Sequence, residues 1–387
     1  MVFIKNKKVR KFVLLFLFLF SIFGNLLFFF SSILFDFNIR RINQINWREN
    51  TLFSDVELFR SSLVKGAKEM LRTGMVDYVP QNNGTIRENL EFNLKGFADN
   101  SPLSFYANGW LLWVCVENAN NKDEITECRE LFREKIQLSS NFSVDQALFG
   151  VSALRLYEYT QNVEYLMYAD SLYGWLKSHD TNYGIPYNVH SNCNLIDGLG
   201  MFNPFFIRYS KVRGCEESYN LALKQIDVFA KYCCDKETGI PSHGFLTERP
   251  YLKVGSANWG RGCGWFAMGL LGVDYSDLNE ETRKVVDKFD NSVRTLYIEN
   301  KFFTQFIGQQ GDVDLSATLP LIYYLKCKKL ISLNEKDILE YSKYCHDGYM
   351  YNSSGDTESL NRYNRYMGGF PLTQAIMAFL CMDRVII

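Results

Sequence analysis

The sequence predicts an all-α protein in which one membrane-spanning helix precedes a helical domain. Strand signals are scarce after residue 50, and segments with apolar residues at helical spacing recur between short polar or Gly-containing turns. A hydrophobic content of 47% in 387 residues is ample for a buried core. The net charge of -1 gives no basic surface of the kind that binds nucleic acid.

The N-terminal segment predicts a membrane anchor. Five Lys and Arg residues within 1–11 precede an almost unbroken apolar run from Phe12 to Phe35, which is long enough to cross a bilayer. No small-x-small cleavage site follows, so we expect an uncleaved signal anchor, with export after signal cleavage as the alternative. The positive-inside rule places residues 1–11 in the cytoplasm and the rest outside, with 36–50 as a stalk and 51–387 as the helical domain.

Twelve segments of the domain have helical periodicity, and they alternate between two kinds. One kind carries many charges, as in Glu280-Glu281-Thr282-Arg283-Lys284, and should face water. The other kind is apolar on nearly every side, as expected of a buried helix. The charged segments begin near residues 54, 124, 163, 216, 279 and 335, and the apolar segments near residues 103, 143, 195, 258, 312 and 366.

This alternation predicts a ring of helical hairpins. The apolar segments begin at irregular intervals of roughly 55 residues, which indicates a repeated structural unit. Six hairpins that close on themselves, with the apolar helices inside, form an (α/α)6 barrel. An open superhelical stack of hairpins is the alternative.

Polar side chains gather near the beginnings of the apolar segments. In a closed ring these ends lie at one mouth, so the separated stretches would line one pocket. A single Asp at such a position is more often a helix cap, and only the whole set favours a pocket. The set comprises Tyr106, Asn108, Trp110, Asp145, Gln146, Asp197, Trp259, Arg261, Asp314, Arg365 and Tyr366.

Two acids in this set have the chemistry of a general acid and its partner. Asp197 lies among the apolar residues of Leu195-Ile196-Asp197-Gly198-Leu199, and such surroundings favour a protonated carboxyl group. Asp145 would come from a neighbouring apolar helix, and two carboxyl groups across one pocket influence each other's titration. Pro204 should remove a backbone hydrogen bond and bend the helix of Asp197. His243 lies in a Gly-containing turn, where a lone His is more often structural.

The stretch Asn258-Trp259-Gly260-Arg261-Gly262-Cys263-Gly264-Trp265 has the composition of a binding wall at a helix N-terminus. Gly permits close approach, Trp offers a stacking face, and Arg provides a planar donor fork for a carboxylate. The alternative is structural, with both tryptophans in the core and Arg261 paired with an acid. The ten cysteines contain no CxxC and no Cys/His metal pattern, so we expect mostly reduced, buried thiols with at most one or two disulfides.

Several of these motifs occur in the order found in a known family. Val144-Asp145, Ile196-Asp197-Gly198-Leu199, His243-Gly244 and Trp259-x-Arg261-Gly262-x-Gly264-Trp265 follow one another along the chain. On these motifs the chain resembles the unsaturated glucuronyl and rhamnogalacturonyl hydrolases of glycoside hydrolase families 88 and 105, over about residues 100–382. The resemblance implies an (α/α)6 barrel catalytic domain, in agreement with the helix pattern.

The resemblance also implies a reaction and a set of site residues. The substrate would be an oligosaccharide with a 4,5-unsaturated uronic acid at its non-reducing end, cleaved by hydration of the vinyl ether without metal or organic cofactor. By motif position, Asp197 is similar to the general acid/base and Asp145 to its partner acid. The implied substrate-binding residues are Arg261, Trp265, His243, Tyr106 and Trp259, with Arg261 as counterion of the uronate carboxylate.

Two positions depart from the family pattern. Cys263 stands where relatives more often carry an amide, and Gly184-Ile185-Pro186-Tyr187 lacks a Trp-His pair often found before the catalytic Asp. Two other classes of function therefore stay open. One is a conventional glycosidase that uses Asp145 and Asp197 as an acid and base pair, and the other is a non-catalytic glycan-binding or polysaccharide-assembly protein. A pocket open at both ends would favour the conventional glycosidase.

Overall fold

The structure is a computed structural model that describes residues 9, 11–29, 53–76, 101–138, 141–187, 192–357, 360, 363 and 367–382. The stalk predicted for 36–50, most of the N-terminal tail, and Arg365 and Tyr366 lie outside the described residues.

One N-terminal helix, α1 (Lys11–Phe29), is long and apolar enough to cross a membrane, with a mean hydropathy of 2.6. Its apolar window is not buried against any other part of the described chain. Residues 30–35, the end of the predicted apolar run, lie outside the described residues.

The domain is mostly helical, as predicted, and its strands are short. The helices are α2 (Val56–Thr73), α3 (Phe105–Glu117), α4 (Lys122–Ile136), α5 (Ala147–Thr160), α6 (Val163–Ser178), α7 (Ile196–Arg213), α8 (Glu216–Tyr232), α9 (Gly260–Leu270), α10 (Glu280–Asn300), α11 (Leu315–Cys327), α12 (Glu335–Leu339) and α13 (Pro371–Leu380). The strands are β1 (Met75–Val76), β2 (Ser101–Pro102), β3 (Cys193–Leu195), β4 (Gly244–Leu246), β5 (Lys253–Val254), β6 (Cys345–His346), β7 (Tyr349–Met350), β8 (Ser353–Ser354) and β9 (Met367–Gly368).

The two predicted kinds of helix are both present. Helices α3, α5, α7, α9, α11 and α13 are buried on nearly all sides, and each begins within a few residues of a predicted apolar segment. Helices α2, α4, α8 and α10 bury one face and expose charges on the other. Asn caps begin several of the second kind, since the Asn279 side chain accepts a hydrogen bond from Thr282 N–H and the Asn121 side chain accepts from Glu124 N–H.

The six buried helices contact one another in a closed cycle, α3 to α5, α7, α9, α11, α13 and back to α3. The more exposed helices pack outside this cycle. Helix α2 contacts α3 and α13, α4 contacts α3 and α5, α6 contacts α5, α8 contacts α7, and α10 contacts α8 and α11. Because the cycle closes, the N-terminal ends of the buried helices are brought towards one another.

Close packing of α7 on α9 depends on glycine. A Cβ at Gly200 would lie 2.6 Å from Cε3 and 2.7 Å from the carbonyl oxygen of Trp265. Helix α7 continues through Pro204, which is inside the helix and does not end it. The neighbouring Asn203 side chain donates to the Gly269 carbonyl at 2.9 Å and to the Ala222 carbonyl at 3.2 Å, and so links α7 to α9 and α8.

All ten cysteines are free thiols, and eight of them are buried. The expectation of reduced, buried cysteines is therefore confirmed, and the structure contains no disulfide among them. Burial raises the pKa of the Cys233 thiol to about 12. Cys263 is fully buried in α9 and packs with the core rather than facing solvent.

Candidate active site

A cavity of about 390 Å³ lies at the N-terminal ends of the buried helices. Five of the predicted site residues line it, namely Tyr106, Asp197, His243, Arg261 and Trp265. The remaining lining residues are Tyr187, Leu195, Met201, Asp356, Thr357 and Leu360. The structure therefore brings together side chains from α3, α7, α9 and the segment between β8 and α13.

Asp197 lies in the first turn of α7, directly after strand β3. Strand β3 pairs antiparallel with β4, and Leu195 is opposite Gly244. Ile196 N–H donates to the carbonyl of His243 at 2.9 Å, so the backbone holds His243 beside Asp197. His243 Nε2 lies 3.2 Å from Asp197 Oδ2, within ion-pair distance, and that oxygen accepts no hydrogen bond from the described residues.

His243 is almost fully buried and is fixed from its other side by Tyr363. The Tyr363 hydroxyl lies 3.0 Å from His243 Nδ1 and accepts a hydrogen bond from Ser256 N–H at 2.7 Å. The His243 ring also packs on Trp259, with ring centroids 4.3 Å apart. Trp259 itself does not line the cavity, so the structure places it behind His243.

Asp145 does not line the cavity itself and is linked to it through Tyr187. The Tyr187 hydroxyl lines the cavity region and donates to Asp145 Oδ1 at 2.7 Å. Burial raises the pKa of Asp145, and the nearby charges of Asp197 and Asp356 raise it further, while the Tyr187 hydrogen bond partly opposes both. The net effect is a pKa of Asp145 above the ordinary value for an aspartate.

Asp356 is a third acid of the site, and it is opposite Tyr106. The Tyr106 hydroxyl donates to Asp356 Oδ1. Burial raises the pKa of Asp356 and the charge of Asp197 adds to this, whereas Arg261 and the Tyr106 hydrogen bond act in the opposite direction. The site thus holds three carboxyl groups that influence one another's protonation.

Arg261 holds the chain segment that carries Asp356. Its Nη1 donates to the Ser354 carbonyl at 2.7 Å, and its Nη2 donates to the Gly355 carbonyl at 2.8 Å. The guanidinium lies between two rings, 4.8 Å from the centroid of Trp259 and 4.6 Å from that of Phe370. Arg261 is only 2% exposed, so the planar fork predicted for a substrate carboxylate is used within the protein.

Asp314 supports the same segment and does not line the cavity. Its Oδ1 accepts hydrogen bonds from Ser316 N–H at 2.9 Å and from Ser354 N–H at 3.0 Å. Asp314 is therefore the N-cap of α11 and a link to β8. The capping alternative considered for each single Asp holds at this position.

Aromatic rings and an ion-pair cluster fill the ring of helices beneath the cavity. Trp265 packs on Trp110 with centroids 5.9 Å apart, and Trp110 stacks on Trp113 at 5.3 Å. Further along α3, Glu117 Oε1 accepts from Arg208 Nη1 at 3.0 Å, and Glu117 Oε2 lies 3.3 Å from Arg155 Nε. The cavity therefore ends on packed side chains.

A partly buried carboxyl group beside a histidine, in a cavity lined by aromatic rings, is suited to acid–base chemistry. Residues 115–325 match the family model of Glycosyl Hydrolase Family 88. The chain belongs to glycosyl hydrolase family 88. No curated protein matches the chain.

Solved structures similar to this family 88 protein have the same kind of fold. A possible family GH105 member from Klebsiella pneumoniae is 16% identical, with a TM-score of 0.62, over 86% of this chain and 93% of that one. A possible GH105 member from Salmonella enterica is 17% identical, with a TM-score of 0.62, over 85% and 93%. The GH76A α-1,6-mannanase from Salegentibacter is 14% identical, with a TM-score of 0.55, over 84% and 98%.

Three residues in or next to the candidate site were not predicted from the sequence. Tyr187 belongs to Gly184-Ile185-Pro186-Tyr187, which was noted only for lacking a Trp-His pair. Asp356 and Tyr363 follow β8 in a segment without helical periodicity. A signal was available for Asp356, because Ser353-Ser354-Gly355-Asp356 is a turn-forming stretch just before the last apolar helix.

Proposed function

We propose that this glycoside hydrolase removes a 4,5-unsaturated uronic acid from the non-reducing end of oligosaccharides produced by a polysaccharide lyase. The observation that carries the proposal is one cavity that combines Asp197, paired with His243, with Arg261, Trp265 and Tyr106. Membership of family 88 supports the same reaction class. The substrate and the roles of the acids below are part of the proposal.

The reaction hydrates a vinyl ether. Asp197 donates its proton to C4 of the unsaturated sugar, and an oxocarbenium-like centre develops at C5, stabilised by the ring oxygen. The Asp197 carboxylate then takes a proton from water as the water oxygen bonds to C5. The resulting hemiketal opens and expels the rest of the oligosaccharide, so one carboxyl group serves as acid and then as base.

His243 and Asp145 support Asp197 in different ways. His243 Nε2, at 3.2 Å, is placed to donate a hydrogen bond to the Asp197 carboxylate that forms after the first proton transfer. Burial and the charges of Asp197 and Asp356 raise the pKa of Asp145, so its protonation is coupled to that of Asp197. Its partner Tyr187 reaches the cavity and is placed to contact sugar hydroxyls.

Arg261 contributes a positive charge to the binding of the uronate. Among the described residues that line the cavity, it is the one permanent cation. Its hydrogen bonds go to the neutral carbonyls of Ser354 and Gly355, and its charge also acts on the nearby Asp356 carboxyl group. An anionic sugar next to Arg261 would be attracted in a site where buried charges are weakly screened.

The filled space beneath the cavity supports action at a chain end. Trp110 and Trp113 are fully buried, and the Glu117 cluster lies further along the same helix. From Tyr106 to Glu117, α3 rises by about 16 Å at 1.5 Å per residue. A polysaccharide passing through the ring would have to displace these side chains, whereas a terminal sugar need only enter from the mouth.

The six-hairpin barrel and the membrane anchor are also part of the proposal. The closed cycle of α3, α5, α7, α9, α11 and α13, enclosed by more exposed helices, supports an (α/α)6 barrel of six hairpins. The apolar helix α1 supports an anchor that holds this barrel outside the cytoplasmic membrane, with the basic tail on the cytoplasmic side.

The test is the ultraviolet absorbance of the conjugated double bond, followed while the full chain in detergent is incubated with unsaturated uronyl disaccharides. We expect the absorbance to decay with the wild-type protein and the Asp197→Asn variant to lose at least about 1000-fold in rate, because the amide cannot donate the proton. Asp290→Asn is the matched control, because Asp290 is also an acid that accepts a hydrogen bond from a tyrosine, Tyr324. The two residues lie on α10 and α11, and neither helix contributes a residue to the cavity.

Saturated oligosaccharides of the same sugars separate the alternatives. Cleavage of saturated substrates without any decay of unsaturated ones would replace this proposal with a conventional glycosidase. Binding without cleavage of either kind, with Asp197→Asn indistinguishable from wild type, would point to a glycan-binding protein.

A further inference from the structure

Tyr363 lies outside the set of side chains that line the cavity, yet it is locked against His243. Its ring packs on Trp259 with centroids 5.5 Å apart and on Phe306 at 5.2 Å. The hydroxyl is thereby aimed at His243 Nδ1, 3.0 Å away. Ring packing of this kind fixes the direction of the hydroxyl more closely than a single hydrogen bond does.

The backbone around Gly255 is shaped to reach the same hydroxyl. Gly255 has a φ of +72°, and a Cβ there would lie 2.5 Å from His243 Cβ and 2.8 Å from the Tyr363 hydroxyl oxygen. Only glycine fits this position, and it lets Ser256 N–H donate to the Tyr363 oxygen at 2.7 Å. The Tyr363 oxygen thus acts as an acceptor towards the backbone.

A tyrosine hydroxyl has one proton to donate. Ser256 N–H occupies an acceptor direction of the oxygen, and among the described residues His243 Nδ1 is the acceptor within reach of the hydroxyl proton. A neutral imidazole that accepts at Nδ1 carries its own proton on Nε2. That nitrogen faces Asp197 Oδ2 at 3.2 Å.

We propose that Tyr363 is a positioning residue, which holds His243 as the neutral Nε2–H tautomer and so presents the Nε2 proton to Asp197 Oδ2, 3.2 Å away. The relay runs from Ser256 N–H through the Tyr363 hydroxyl and the imidazole to the carboxyl group. Its catalytic consequence rests on the proposed function, whereas the tautomer is a property of the free protein. Burial raises the pKa of Tyr363, so the hydroxyl keeps its proton at neutral pH.

The relay has a direct spectroscopic test. The chain has four histidines, so imidazole nitrogen-15 spectra of the full-length protein in detergent are simple, and a His243→Gln sample identifies the His243 signals. We expect the neutral His243 imidazole to carry its proton on Nε2 and to leave Nδ1 unprotonated. A wild-type spectrum with the proton on Nδ1, or on both nitrogens, would overturn the proposal whether or not the protein is active.

Tyr363→Phe removes the hydroxyl and keeps the ring packing. We expect His243 to lose its single tautomer and kcat for unsaturated disaccharides to fall about 10- to 100-fold with a smaller change in KM, as for other residues that orient a catalytic imidazole. The matched control is Tyr219→Phe, because the Tyr219 hydroxyl also accepts a backbone N–H, from Asp274 at 3.0 Å, and donates to Asp277 at 2.7 Å. Tyr219 lies near the start of α8, and none of these residues lines the cavity.

The readouts separate this inference from the proposed function. An unchanged His243 spectrum in Tyr363→Phe contradicts the relay, even if activity falls. If the wild-type protein is inactive on every unsaturated substrate, the proposed function is wrong. The His243 tautomer in the wild-type protein and in Tyr363→Phe still tests the relay in that case.

Discussion

Replacing Arg261 by lysine tests whether this residue holds the turn that carries Asp356. Lysine keeps the positive charge but has a single nitrogen, so it reaches only one of the Ser354 and Gly355 carbonyls. Both residues are buried, and a buried acceptor without a donor costs about 1–3 kcal/mol. Losing the guanidinium between Trp259 and Phe370 adds about 0.5–1 kcal/mol.

We therefore expect Arg261→Lys to lower the free energy of unfolding by about 2–4 kcal/mol. Urea unfolding of the full chain in detergent, followed by tryptophan fluorescence, measures this as a lower midpoint with an unchanged slope. Arg213→Lys is the control, because Arg213 is 43% exposed and contacts Asp170 at 3.1 Å on the surface, where about 0.5 kcal/mol or less is expected.

An Arg261→Lys protein within about 0.5 kcal/mol of wild type would refute the structural role and leave Arg261 as a substrate counterion alone. In that event only KM for the unsaturated uronate would change. If the structural role is right, stability and KM change together, because the displaced turn also moves Asp356 and Thr357 at the cavity wall.

Two further substitutions test the packing and the protonation of the site. Gly200→Ala places a methyl group 2.7 Å from the Trp265 backbone oxygen. We therefore expect the free energy of unfolding, measured by heat or urea, to fall by about 1–3 kcal/mol, together with reduced activity. Unchanged stability would show that α7 and α9 can move apart without cost. For Asp145→Asn, the sign of the change in stability follows from the pKa of Asp145, which is raised on folding. The native state then binds more protons than the unfolded state above the unfolded pKa, so the acid lowers stability as pH rises. The variant should therefore be more stable than wild type at pH 7 and equal to it near pH 3, and the opposite order in urea titrations at the two pH values would contradict the raised pKa.

The helices could be predicted from the sequence because burial imposes a regular spacing on the apolar residues of a helix. An apolar helix that alternates with a charged one has few ways to pack, and the observed cycle of buried helices follows. Polar residues at the first turn of such helices then share one end, which is how Asp197, Arg261 and Tyr106 could be assigned to one cavity before any contact was known.

The segments outside the helices have no such regular spacing of apolar residues. Tyr187, Asp356 and Tyr363 come from stretches whose backbone is set by tertiary hydrogen bonds, and no spacing rule relates them to Asp145, Tyr106 or His243. Tyr363, for instance, depends on a positive φ at Gly255, more than 100 residues earlier in the chain. Periodicity within either segment contains no information about this contact.

Arg261 shows why the type of a residue does not identify its binding partner. Its planar fork fits two backbone carbonyls as well as it fits a carboxylate, so the residue type alone cannot identify the partner. The partner is the turn at Ser354 and Gly355, and that turn presents Asp356 to the cavity. In the proposed function Arg261 would therefore act in two ways, through its charge and through the position of Asp356, whose pKa it lowers. A substitution at Arg261 consequently changes two pocket groups at once, and Asp356→Asn in the Arg261→Lys background is the double-mutant cycle that separates them.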